Sequence, residues 1–257
     1  MRIEFEHRDK RYEADLSKGR DLSIPISNGT ENPNCFWAPM PVFSPVRAGD
    51  FVGSTAEGGP LNFYNVAFNP HGNGTHTECM GHISNEGQTI VNTLKQFHFP
   101  TLLVSLFPEK SENGDRIFYK KRFEEIEDLH LVETLIVRSL PNGSWKKTHS
   151  YSGTNPPYFE AAAIEYLVEN GIKHLLIDLP SVDREEDGGA LSAHRAFWML
   201  PEAGDNPDPA RRNCTITEMI YAADDIKDGL YLLNIQTASF RLDASPSKPV
   251  IFPMKLI

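Results

Sequence analysis

A fourteen-residue stretch, Asn69-Pro-His-Gly-Asn-Gly-Thr-His-Thr-Glu-Cys-Met-Gly-His82, constrains this chain more than any other, with three histidines and a glutamate set among three glycines and a proline. No apolar residue recurs there at helical spacing, and no alternation marks a half-buried strand. Whatever fold the chain adopts has to carry this segment as a site. Gly72, Gly74 and Gly81 permit backbone angles that other residues avoid, which lets the loop fold back and aim several side chains inward. His76 and Glu78 are two apart and share one face of an extended segment. Imidazole and carboxylate together suit zinc, manganese or iron and suit calcium or magnesium poorly. His71 curls back through Gly72 to Gly74 towards the same ion, whereas His82, six residues after His76, falls outside the ligand set. Titratable groups of mixed ligand type at this density mark a site. The bland alternative is a polar loop whose histidines only hydrogen-bond their own backbone.

Gly74-Thr75-His76, the acid at Glu78 and the histidine at Cys79-Met-Gly-His82 resemble, in that order, the metal motif of the cyclase / kynurenine formamidase family of metal-dependent hydrolases, His-x-Gly-Thr-His-x-Asp-x-Pro-x-His. The first histidine stands one residue further upstream, Glu78 replaces an aspartate, and the proline is absent. The resemblance runs over roughly residues 20 to 250. Asp21-Leu-Ser-Ile-Pro-Ile26 resembles the family's early strand, and Leu179-Pro-Ser-Val-Asp183 followed by Ala193-His-Arg-Ala-Phe197 resembles the segment that leads to a metal-site histidine. Thr215-Ile-Thr-Glu-Met-Ile220 resembles its acidic ligand segment, beyond an extra Pro201–Pro209 stretch. The resemblance therefore implies His194 and Glu218 as ligands beside His71, His76 and Glu78. It implies a β-rich α/β fold of the swivelling β/β/α kind, zinc or manganese as one or two ions, and a homodimer or homotetramer.

The implied reaction is hydrolysis of a small aryl formamide or cyclic amide, with N-formylkynurenine as the family's best-known substrate. A metal-activated water attacks the carbonyl, and His82 serves as general acid and base, a role suited to a group titrating near neutrality. An isatin-hydrolase-like lactam hydrolase is the nearest alternative in chemistry. A non-catalytic metal- or ligand-binding member of the fold is the alternative from another class.

The remaining sequence sets outer limits. At 257 residues the chain is long enough for a sizeable core, and no repeat, charge block or low-complexity tract divides it, so one domain over 1–257 is expected. A formal net charge of -10 argues against nucleic acid and against an anionic membrane as partner. Cys35, Cys79 and Cys214 form no CxxC pair and read as reduced thiols; Cys79, inside the site, is a small neighbour of the ligands or else a thiolate. The start has no apolar signal core, so a cytoplasmic protein is expected. Neither a phosphate loop nor a nucleophile elbow occurs.

Coarse patterning completes the reading. Ile3, Phe5, Tyr12, Ala14 and Leu16 alternate with polar residues as short strands. Residues 28 to 60 read as an irregular aromatic-rich loop that either forms a lid or binding wall, with Phe36 and Trp37 against the substrate, or packs Phe36, Trp37 and Phe43 onto the core or a neighbouring subunit. Leu61–Phe68 reads as the strand that delivers the metal loop, and 101–107, 133–139 and 174–178 as buried strands. Phe123–Leu129 carries helical spacing, and 157–171 is the clearest helix, closed by Asn170-Gly171. Asp183 is expected to bond the backbone of its own turn.

Overall fold

The computed structural model describes residues 1–201 and 208–257, so most of the extra Pro201–Pro209 stretch lies outside the described residues. An N-terminal hairpin pairs β1 (Arg2–His7) with β2 (Lys10–Asp15), and a second ribbon pairs β3 (Val42–Pro45) with β4 (Tyr64–Ala67). The strands that follow are β5 (His76–Cys79), β6 (His98–Leu106), β7 (Thr134–Ser139), β8 (His174–Ile177) and β9 (Thr215–Glu218). The chain ends in β10 (Gly229–Thr237) and β11 (Ala244–Leu256). Two helices matter here, α1 (Ala161–Glu169) and α2 (Ser192–Trp198).

From β11 the order runs β10, β6, β7, β8, β9 and β5, and β5 pairs back onto β11, closing a barrel of seven strands. β6 to β9 are parallel, while the other neighbours are antiparallel. Parallel strands are covered on both faces, which is why β6, β7 and β8 read as continuous apolar runs. Alternate residues divide between two cores. Leu103, Ile136, Leu176, Leu233 and Ile251 fill the barrel interior. Leu102, Leu135, Val137, Leu175 and Ile216 face outward onto Ile164 and Leu167 of α1 and Phe197 and Trp198 of α2. The strand-rich α/β class expected from the sequence is the one observed.

Several local expectations are corrected. The helix expected over 157–171 starts only at Ala161, because Tyr158 and Phe159 pair in parallel with Ile117 and Phe118. Its end matches, with Gly171 at φ 81°, in the left-handed region that suits glycine. Phe123–Leu129 divides between an α turn, Lys120–Glu124, and a 3-10 turn, Glu127–Leu131. Within 28–60, β3 and a short Arg47–Ala48/Phe51–Val52 ribbon replace part of the irregular loop. β4 is shorter than Leu61–Phe68 and pairs with β3 outside the barrel.

Candidate metal centre

The site forms on the outer face of the barrel, where β5 closes it. In the β5–β9 pair Glu218 lies opposite His76 and Ile216 opposite Glu78. Ile216 belongs to the outer core, so Glu218, two residues on, shares that face. His76 and Glu78 point the same way. Thr77 and Cys79 take the inner face, Thr77 Oγ1 meeting Thr217 Oγ1 at 2.8 Å and Cys79 packing among Leu22, Leu103 and Ile136. Cys79 thus faces away from the expected ligands, and burial raises its thiol pKa. The thiolate reading is ruled out by strand alternation.

The loop before β5 is held by its own amides. Asn73 Oδ1 accepts from the Asn69 amide at 2.7 Å and Asn69 Oδ1 from the Gly72 amide at 3.0 Å. Thr75 Oγ1 donates to the Met219 carbonyl and accepts from the Ile24 amide, tying the loop to β9. Only Gly74 of the three loop glycines needs a left-handed φ, at 154°. Gly72 and Gly81 are required for close approach instead: a Cβ would meet Ala38 Cβ at 2.2 Å or the Gln88 carbonyl at 2.0 Å.

From the other side, α2 delivers His194. Asp183 does not close its own turn; the Ser181 hydroxyl accepts from the Asp183 amide at 3.1 Å. The Asp183 carboxylate accepts instead from the Ala193 and His194 amides, at 2.7 and 3.1 Å, and from His194 Nδ1 at 2.6 Å. It therefore caps the first turn of α2 and fixes the ring whose Nε2 lies 3.0 Å from Glu78 Oε1. A carboxylate–histidine pair of this kind orients imidazoles at metal sites.

All five expected ligands converge. His71 Nδ1 is 3.1 Å from Glu78 Oε2, His76 Nε2 is 3.5 Å from Glu218 Oε2, and His194 Nε2 is 3.9 Å from Glu218 Oε1. Donor atoms of His71, His76 and Glu78 lie within 4.8 Å of one another, as do those of Glu78, His82 and His194 and those of His71, His82 and Asp243. His82, at 3.8 Å from Glu78 Oε2, stands closer to the cluster than its spacing from His76 suggested. Phe36 and Trp37 both line the cavity of about 500 Å³ that opens onto His71, His82, His194 and Glu218.

One arrangement tests whether a cation suits this pocket. His76 Nδ1 donates to the Gly74 carbonyl at 2.9 Å, which leaves a lone pair on Nε2 of the neutral ring. That nitrogen is buried, has no hydrogen-bond partner and faces a Glu218 oxygen. Glu78 Oε2 is equally buried, and His71 Nδ1, 3.1 Å away, donates to it only if that ring carries a second proton. Acceptors turned on one another, without a proton between them, are costly unless a cation sits among them. The residues fit a divalent metal.

The electrostatics agree. Burial works to raise the Glu78 carboxyl, but the neighbouring His82, His194 and His71 hold it well below the usual carboxylate range. Burial works against charging His71, yet contacts with Asp243 and Glu78 push its pKa up to about 10. His194, likewise opposed by burial, is raised well above its ordinary value by Asp183 and Glu78. Without metal, protons are the cations of this site.

Two acids went unread as site residues, Asp183 and Asp243. Asp243 Oδ2 lies 2.7 Å from His71 Nε2 and 3.2 Å from His82 Nδ1. Asp183 had a signal in its place ahead of His194; Asp243 had none, because only the β5–β11 pairing brings it here.

Fold and cluster together define an α/β barrel protein with a site able to hold a metal ion. Residues 20–184 match the family model described as Putative cyclase, and the chain belongs to that family. It is 26% identical over 242 residues to the kynurenine formamidase of Bacillus anthracis, covering 93% of this chain and 99% of that protein. Among solved structures it resembles an isatin hydrolase bound to the product analogue thioisatinate, with TM-score 0.64 and 15% identity over 93% of this chain and 94% of the other. A predicted metal-dependent hydrolase from Bacillus stearothermophilus superposes with TM-score 0.59 and 19% identity, over 91% and 98% of the two chains. At these identities the structural likenesses show the fold. Among the described residues no helix is long and apolar enough to cross a membrane.

Proposed function

We propose that this protein hydrolyses a small aryl formamide, with N-formylkynurenine as the leading substrate. The chain is an enzyme of the amide-hydrolase class, acting on carbon–nitrogen bonds other than peptide bonds. The observation that carries the reading is the buried set of facing acceptors, His76 Nε2, Glu78 Oε2 and Glu218, opening onto a cavity walled by aromatic rings. The relationship to the Bacillus anthracis formamidase supports the substrate class.

His71, His76, Glu78, His194 and Glu218 would hold zinc or manganese, and Glu78, common to two donor groups, suits either one ion or two. Such an ion supplies a Lewis acid for the carbonyl and lowers the pKa of a water. Asp183 keeps the proton on His194 Nδ1, so that Nε2 stays turned to the cluster. His82, with 30% of its side chain exposed, reaches both the cavity and Glu78. There it takes a proton from the attacking water and returns it to the leaving nitrogen. Trp37, 65% exposed and anchored by its amide on Ser152 Oγ, offers a ring face for the aryl group.

Formate release from N-formylkynurenine, by protein of known zinc and manganese content, tests the proposal. Rapid, chelator-sensitive turnover is expected. Opening of isatin without formamide turnover would favour the lactam reading, which the fold shared with isatin hydrolase supports. Metal bound without turnover of either would favour a binding protein. We further expect a homodimer or homotetramer, because the β3–β4 ribbon exposes Val42, Tyr64 and Val66, with Phe63 exposed just before it, and an isolated two-stranded ribbon is only marginally stable in water. A monomer in sedimentation equilibrium would end that expectation. Three free, buried cysteines suit a reducing compartment, and we expect the protein in the cytoplasm.

A further inference from the structure

Asp243 precedes β11 by one residue, and its backbone carbonyl accepts from the Cys79 amide at 2.9 Å. The last strand of the barrel therefore fixes where its carboxylate stands. A single oxygen, Oδ2, meets His71 Nε2 at 2.7 Å and His82 Nδ1 at 3.2 Å. The two rings are stacked, with centroids 4.3 Å apart and planes 28° from parallel. An ionised carboxylate only accepts, so each ring turns a protonated nitrogen to it. The opposite nitrogens, His71 Nδ1 and His82 Nε2, both face Glu78 Oε2, at 3.1 and 3.8 Å.

We propose that Asp243 is a positioning residue for two rings at once, holding His71 in the tautomer that ligates through Nδ1 and His82 in the tautomer that accepts a proton at Nε2. The proposal rests on the metal-site reading above and adds the means by which it is kept in register. Asp183 serves His194 in the same way, but Asp243 spans a ligand and the proton-transfer group. Loss of Asp243 then has two effects that a purely structural residue would not combine. Metal affinity falls because His71 is free to turn, and turnover falls further because His82 is free to present the wrong nitrogen.

The test compares wild type with Asp243→Asn, which keeps shape and an acceptor oxygen, and Asp243→Ala, which keeps neither. Zinc affinity is read by competition with a chromophoric chelator, and the histidine tautomers by long-range 15N–1H correlation on zinc-loaded, histidine-labelled protein. Formamide kinetics are read as kcat and KM separately. Expected for the alanine variant are a metal affinity weakened about 10–100-fold, the range for groups that orient ligands, mixed tautomers at both rings, and lowered kcat with KM little changed. The asparagine variant is expected to lie between, and it carries the test if alanine prevents folding. Wild-type metal affinity together with wild-type tautomers in the variants would overturn the proposal. A wild type that binds zinc but releases no formate would instead remove the proposed substrate, and the affinities and tautomers would still decide the role of Asp243.

Discussion

Two buried charged clusters in this molecule are built on opposite principles. At the carboxyl ends of β7 and β8, Lys146 donates to Asp178, to the Ser139 carbonyl and hydroxyl, and to Asn142. Asp178 in turn accepts from the Ser139 amide through both oxygens. Donors meet acceptors throughout. On the outer face of β5 and β9 the opposite holds: His76 Nε2 is buried without a hydrogen bond and turns its lone pair on a Glu218 oxygen at 3.5 Å, and Glu78 finds donors in His71 and His194 only when those rings carry an extra proton. Burial alone does not separate a structural cluster from a functional one; the balance of donors and acceptors does.

The widest separation between the two is expected in activity. Glu78→Gln removes the charge shared by two donor groups and should abolish bound metal and turnover together, with the fold intact by circular dichroism. Metal content equal to wild type would refute the ligand assignment. His82→Ala should keep the metal and lose turnover by about 10²–10⁴-fold, the usual scale for a general acid–base group; loss of metal would make His82 a ligand.

Lys146→Met carries the comparison in the other direction. Leaving Asp178 buried and unpaired should cost about 3–5 kcal/mol of stability in urea melts, with metal affinity unchanged. A smaller loss accompanied by weaker metal binding would mean that the clusters are coupled.

Acidity sharpens the contrast further. In the metal-free protein His71 is raised from 6.5 to about 10, so its protonation favours the fold fully below pH 6.5 and the benefit fades as pH rises towards 10. Metal-free protein should lose stability across that window, and metal uptake at neutral pH should release protons. Calorimetry in buffers of different ionisation enthalpy reads the release directly, and no release would contradict protonated histidines at the site. The smallest effect is expected at the cavity wall, where Trp37→Ala should raise KM severalfold, about 1 kcal/mol for a lost ring contact, and leave kcat nearly unchanged. An unchanged KM would move the aryl group elsewhere.

The sequence disclosed this site to the extent that its parts are local. His71, His76, Glu78 and His82 lie in one loop and strand, and alternation alone sets His76 and Glu78 on one face. His194 and Glu218 were reachable only through family resemblance, since nothing in their own surroundings marks them. Asp183 looks like a local turn residue in the sequence, because there a short-range partner outranks an amide ten residues away. Asp243 was invisible: Arg241-Leu-Asp-Ala244 has no pattern, and its meaning comes from barrel closure. β11 itself escapes strand signals because it carries Pro246, Pro249 and Pro253, residues that usually exclude a ladder position. The start of α1 is hidden for a related reason, since Tyr158–Phe159 answers to a distant strand rather than to helix propensity.

β5 is only four residues long, yet it is the stave that completes the ring. Residues that would grip a metal lie on it, on its neighbour β9 and on α2, so a bound ion would lash together segments that the chain keeps far apart. Catalytic occupancy and mechanical integrity would then be one quantity. A cell short of the metal would hold a barrel whose seam rests on strand pairing, core packing and protonated histidines alone.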